Sequence, residues 1–168
     1  MMHIVLRVKT MLTVLFICLA GYSSAQSPLS SYSSEWNAPE YQKCNTAASA
    51  AYMSAKEKEV IYILNLARVY PALFARTVVE AYPERSGRPE LANDKYYYQS
   101  LLSLLRKMKA LSPLEPCLPC YTSANCHALH AGQKGYVGHV RQSPDCKRKK
   151  HYMGECCDYG NSAPLDIV

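Results

Sequence analysis

An α+β fold, helix-rich in its N-terminal part, is predicted from three observations. Four segments carry apolar residues at helical spacing, prolines and glycines interrupt the chain between them, and one run near the C-terminus has the composition of a strand. The 168 residues suit one domain of ordinary size. A composition that is 49% hydrophobic and 19% charged excludes a disordered tail, a collagen-like fibre and a multi-pass membrane protein.

The first 25 residues read as a secretory signal. Arg7 and Lys9 supply a positive start, Met11 to Ala20 form a short apolar core, and Ser23-Ser24-Ala25 offers small residues before a cut. That apolar run is too short for a permanent membrane span. A lipid anchor at Cys18 is disfavoured by Ile17, where such a site wants a small residue. Residues 26–53 are then a leader and lead-in, flexible from Gln26 to about Glu40 because Ser, Pro and Tyr dominate without apolar periodicity. Residues 54–168 form the domain.

Ser54-Ala55-Lys56-Glu57 is a capping box, in which Ser54 accepts from the Glu57 amide and the Glu57 carboxylate returns to the Ser54 amide. The helix behind it, about 56–69, carries Val60, Ile61, Leu64 and Ala67 on one face. Pro71 breaks that helix and suits the first position of a second, about 71–81, with Leu73, Phe74, Val78 and Val79 buried. Residues 82–93, with Pro83, Gly87 and Pro89, are a loop. A third helix, about 94–110, carries Tyr97, Leu101, Leu104, Leu105 and Met108, with Arg106, Lys107 and Lys109 at its C-terminal end, where cations suit the dipole.

Pro113, Pro116 and Pro119 predict irregular chain until a fourth helix, about 123–134. Residues 135–146 read as a loop and 150–159 as the single strand. Leu165-Asp166-Ile167-Val168 has the pattern of a helix beginning. One strand without a ladder partner, together with an odd number of cysteines, leads us to expect an incomplete form of a longer domain.

The formal net charge is +6. Part of it lies in the stretch from Arg141 to His151, around Lys147-Arg148-Lys149-Lys150, which reads as a solvated loop. No aromatic stacking platform or groove-reading motif accompanies it, so no nucleic-acid partner is expected. Seven of the eight cysteines follow the signal: Cys44, Cys117, Cys120, Cys126, Cys146, Cys156 and Cys157. Export favours disulfides among them. The odd number leaves a free thiol, an intermolecular bond or a partner elsewhere. Cys156 and Cys157 are adjacent, and the strained ring of a vicinal disulfide sends each toward a distant partner. Cys117-Leu118-Pro119-Cys120 allows three readings: a staple, a redox pair or half of a zinc knot. Redox chemistry wants the first cysteine at a helix start, whereas these prolines predict a loop; zinc wants thiols that stay reduced.

Five stretches together resemble the CAP superfamily, the SCP-like or cysteine-rich secretory protein domain, and its bacterial extracellular members in particular. They are Asn65-x-x-Arg68-x-x-Pro71 followed by Leu73-Phe74-Ala75; Ser123-Ala124-Asn125-Cys126-His127-Ala128; Gly135-Tyr136-Val137-Gly138-His139; Gly154-Glu155; and Gly160-Asn161-Ser162. The resemblance implies an α-β-α sandwich, with its later strands missing from this chain. It also implies a cleft in which His139 and Glu155 are two of four ligands for Zn²⁺ or another divalent cation.

Chemistry read from the residues alone agrees with half a site: an imidazole and a carboxylate are competent ligands, but stable sites want three or four. His127 is read as structural in this pattern, with a His127/His130 ligand pair as the lesser alternative. No Gly-x-Ser-x-Gly elbow, His-Glu-x-x-His helix or phosphate-cradling glycine loop is present. The expected function is a secreted, extracellular, non-enzymatic binding module that contacts a protein, lipid or sterol ligand. A metal-dependent hydrolase or peptidase at the same cleft, and thiol–disulfide exchange through Cys117 and Cys120, are the alternatives.

Overall fold

The computed structural model describes residues 26–151 and 153–168; the expected signal segment and Cys18 lie outside them. All regular structure among the described residues is helical, and the α+β sandwich is corrected: among them there is no strand and no sheet. In the run expected as a strand, 150–159, the described residues are irregular chain. A strand needs a ladder partner for its amides and carbonyls; none is present among the described residues, and the His151 amide donates to Ser123 Oγ at 3.2 Å instead.

Helix α1, Ala55–Val69, starts on the expected capping box: Glu57 N donates to Ser54 Oγ at 3.3 Å and Ser54 N to Glu57 Oε2 at 2.7 Å. Its burial is not the single stripe expected. Tyr62, Ile63, Leu66 and Ala67 are buried while Leu64 is half-buried, because α1 is packed by several elements at once. Pro71 opens α2, Pro71–Phe74, which continues as a wide turn over Ala75–Val79 and buries Phe74, Val78 and Val79. Next come α3, Tyr82–Arg85, and α4, Tyr98–Lys107. In α4 the inward residues are Leu102 and Leu105, while Leu101 and Leu104 are exposed, a rotation of the expected face.

The segment expected to be a flexible leader is instead folded. Leu29 and Trp36 are fully buried and join α1, α2 and α4 in one apolar core. Trp36 Nε1 donates to Thr77 Oγ1 at 2.9 Å, its ring packs edge-on to Phe74 with centroids 6.5 Å apart, and Arg76 grips both oxygens of Glu35 at 2.9 and 2.6 Å.

Helix α5, Leu118–Lys134, begins five residues before the expected Ser123. Proline is tolerated in a first helical turn, where its missing N–H would have no partner anyway, so Pro119 admits the helix. Cys117 is its N-cap, with Sγ accepting from Cys120 N at 3.3 Å. Gly135 ends it at φ 69°, the left-handed conformation that glycine adopts without strain. The expected loop after it contains α6, Pro144–Arg148, and α7, Pro164–Ile167, forms where a helix start was expected. Helix α7 packs on α1, and Tyr82 donates its hydroxyl to Asp166 at 2.8 Å. Among the described residues no helix is long and apolar enough to cross a membrane.

Four of the cysteine candidates pair, as Cys117–Cys120 and Cys126–Cys146. The second joins α5 to α6. Among the described residues Cys44, Cys156 and Cys157 are unbridged, so the distant partners expected for the vicinal pair are not found there; Cys44 is buried inside the core.

Candidate functional site

The polar centre of the second half of the chain is built on one face of α5. Ser123 and His127 lie one turn apart and both are buried. After Gly135 the chain doubles back and passes Gly138, His139 and Arg141 alongside that face; Gly138 takes φ 100°, a conformation that favours glycine. The segment 154–159 then brings Glu155, Cys157 and Tyr159 to the same place. Tyr159 Oη accepts from Gly138 N at 2.7 Å and fixes the crossing.

At the middle sits Glu155, its side chain 13% exposed, held by Arg141, whose side chain is 3% exposed. The guanidinium reaches Oε1 at 2.6 Å and Oε2 at 3.3 Å, a two-pronged grip that fixes the carboxylate plane, and extends to Ser123 Oγ at 3.4 Å. His139 Nδ1 lies 3.1 Å from Glu155 Oε2 and 3.4 Å from Cys157 Sγ. His127, 4% exposed, sets its Nε2 at 2.8 Å from the Gly138 carbonyl oxygen. Because a carbonyl can only accept, Nε2 is the donor of that bond; Nδ1 is buried with no hydrogen-bond partner.

The two residues expected to share a metal, His139 and Glu155, therefore do meet. A ring nitrogen of His127, a carboxylate oxygen of Glu155 and Cys157 Sγ lie within 4.8 Å of one another. Imidazole, carboxylate and thiolate are all competent ligands for a divalent cation, so the donor set fits one. His130 is not in this cluster; its ring packs against Tyr136, centroids 5.9 Å apart.

Two members had no sequence signal as site residues. Arg141 falls in the basic stretch expected to be solvated, yet it is buried and ion-paired. Cys157 counted only as a disulfide candidate. The basic block beyond is partly neutralised within α6, where Asp145 pairs with Arg148 at 3.2 Å and with Lys149 at 2.7 Å.

Hydrogen bonds from Arg141, aided by His139, hold the Glu155 carboxyl below its ordinary 4.5 against the opposing effect of burial. A carboxyl whose pKa is lower in the folded state binds its proton preferentially in the unfolded chain. It therefore stabilises the fold above the unfolded value and loses that contribution as the pH falls through the folded one. Urea unfolding is expected to show stability dropping as the pH goes below about 4.5, with a shallower drop in Glu155→Gln. An equally steep drop in that variant assigns the acid sensitivity to other carboxylates.

Two further features bear on function. A cavity of about 460 Å³ opens between α1, α2 and α4, lined by Leu64, Phe74, Val78, Leu101, Leu105 and Met108 among others. Cys117 and Cys120, expected in a loop, stand in the first turn of α5, and a ring nitrogen of the exposed His151 lies within 4.8 Å of both sulfurs.

No family model matches the chain, and neither a curated protein nor a solved structure matches it.

Proposed function

We propose that the protein is an extracellular, disulfide-stapled binding module whose polar centre takes a divalent cation, Zn²⁺ in the first instance, on His127, Glu155 and Cys157, with His139 as the adjoining fourth donor. The observation that carries this reading is the convergence of an imidazole nitrogen, a carboxylate oxygen and a thiol sulfur within 4.8 Å of one another, the histidine being buried. Arg141 holds the carboxylate in one orientation, as outer-shell partners of metal ligands do. Two disulfides support an oxidising compartment. Kinship with the CAP superfamily is proposed on motif order alone, without its sheet, and favours binding over turnover.

A lipid or sterol is the second ligand class, favoured by the apolar cavity beside α4, whose volume lies within the range of about 300–1,000 Å³ typical of small-molecule pockets.

Calorimetric titration of the full chain with Zn²⁺ is expected to give one site per chain. Cys157→Ser and His139→Ala, both at partly exposed positions that leave the apolar core untouched, should each weaken it by about tenfold or more. With Co²⁺ the thiolate charge-transfer band should be present in the parent and absent in Cys157→Ser. Unchanged affinity in both variants would place any bound cation elsewhere and remove the proposal.

A further inference from the structure

The Cys117–Cys120 bond is poorly suited to a merely structural role. Its cysteines are three residues apart, within the first turn of α5, a segment the helix already orders. Cross-links gain most when they close long loops. Cys126–Cys146 closes a much longer one, with a separation of 20, and joins two helices. The short bond constrains almost nothing that backbone hydrogen bonds do not.

Its surroundings instead suit a reactive sulfur. Cys117 is the N-cap of a 17-residue helix, and its Sγ accepts the Cys120 amide at 3.3 Å. Negative charge on that atom faces the positive end of the helix dipole and a ready N–H donor, the two features that lower a thiol's pKa and make it a good leaving group. Neither sulfur belongs to the core, since both cysteines are partly exposed, and the exposed His151 places a ring nitrogen within 4.8 Å of both. The main-chain amide of His151 is tied to Ser123 Oγ at 3.2 Å, so this histidine is anchored to α5 itself.

We propose that Cys117 and Cys120 form an exchangeable disulfide that oxidises a pair of thiols on a partner polypeptide, with His151 carrying the proton. A partner thiolate attacks Cys117 Sγ, the Cys117–Cys120 bond breaks, and the electron pair leaves on Cys120, which takes a proton from His151. The partner's second thiolate then attacks the partner sulfur of the mixed disulfide and expels Cys117 as the thiolate that the helix N-terminus stabilises. The partner loses two electrons and two protons and gains a disulfide; one proton returns to His151 in place of the one given to Cys120, the other goes to solvent, and the two electrons rest on the Cys117 thiolate and the Cys120 thiol. The reaction is independent of the cation centre, which uses neither sulfur.

The test uses the oxidised full chain and a synthetic peptide bearing two cysteines, with products located by mass spectrometry after alkylation. In glutathione buffers Cys117–Cys120 should open at a [GSH]²/[GSSG] ratio at least about tenfold less reducing than Cys126–Cys146. Cys120→Ser, given the same peptide in its disulfide form, should hold it on Cys117 as a mixed disulfide, because the Cys117 thiolate opens the peptide's disulfide and no second thiol of the pair is left to release it. Alkylation of Cys117 in that variant should titrate below the ordinary cysteine value of about 8.5. His151→Ala should slow peptide oxidation about tenfold with unchanged thermal unfolding, the factor that one unit in a proton-transfer equilibrium is worth. If Cys117–Cys120 stays closed where Cys126–Cys146 opens, or if the peptide adduct maps to Cys156 or Cys157, the proposal fails. Should Cys120→Ser not fold, the glutathione equilibrium of the parent decides alone.

Discussion

Replacing Trp36 with Ala is expected to destabilise the protein by about 3–5 kcal/mol, read as a fall in the urea midpoint by circular dichroism. The ring is fully buried in the core, 5.0 Å from the Tyr41 ring and 6.5 Å from those of Tyr70 and Phe74. Truncation removes those contacts and leaves a cavity that rigid helices on three sides do not refill. It also strips Thr77 Oγ1 of its donor, although that hydroxyl still donates to the Leu73 carbonyl at 2.8 Å. Trp36→Phe separates the two effects, since it keeps much of the ring's volume and loses only the indole N–H, and is expected to cost about 1 kcal/mol beyond the smaller ring. A loss below about 1 kcal/mol in Trp36→Ala would mean that residues 26–40 do not pack on the core.

Asn65→Ala is the second large effect, about 3 kcal/mol or more. Asn65 is completely buried in α1. Its Nδ2 donates to the Cys44 carbonyl at 3.0 Å, the Leu114 carbonyl at 3.0 Å and Thr46 Oγ1 at 3.1 Å, while Oδ1 accepts from Leu114 N at 2.7 Å. One amide thus holds two chain segments, before α1 and before α5, that otherwise have few backbone partners. Alanine leaves several buried polar groups unsatisfied at once. Asn65→Asp should be at least as damaging, because it keeps the acceptor for Leu114 N but turns a carboxylate toward two carbonyl oxygens. Comparing midpoints of parent, Asn65→Ala and Asn65→Asp checks the order; a milder Asp variant would show that the Nδ2 contacts contribute little.

The Asn-x-x-Arg-x-x-Pro stretch that suggested a family kinship is, in the structure, a device for anchoring chain. Asn65 binds residues 44–46 and 114, Arg68 donates through Nε and Nη2 to the Ser112 carbonyl at 3.3 and 3.2 Å, and Pro71 starts α2 from a buried position. Such a motif reports how helices are joined. It does not require a sheet, and here none follows among the described residues.

Short-range chemistry was legible without coordinates. The Ser54–Glu57 box, the Pro71 start, the Gly135 stop and the C-terminal helix all depend on residues within one or two turns of each other, and their hydrogen bonds are set by local backbone geometry. Pro119 misled because position within the helix, not residue type, decides whether proline is tolerated. The buried faces of α1 and α4 misled because periodicity assumes one neighbour, whereas α1 is packed by the preceding turn, α2 and α7 together.

The polar centre divides the same way. His139 and Glu155 were expected from sequence to meet, and they do. His127, Arg141 and Cys157 joined them only through the path of the chain between α5 and residue 159. Spacings of 14 to 30 residues carry no angular information, so charge and polarity alone placed Arg141 in solvent. Burial reversed that, since a guanidinium with a carboxylate partner is stable where a lone one is not.

From the sequence alone followed the four main helix sites, two of their caps, the helix beginning at the C-terminus and the types of residue available for chemistry, because each of these is a local preference. Tertiary structure alone decided that residues 26–40 belong to the core, which cysteines pair, that the described residues of 150–159 form no strand and which donors face one another. Those outcomes depend on long-range burial and on whether each polar group finds a partner, and neither is written in any short stretch of chain.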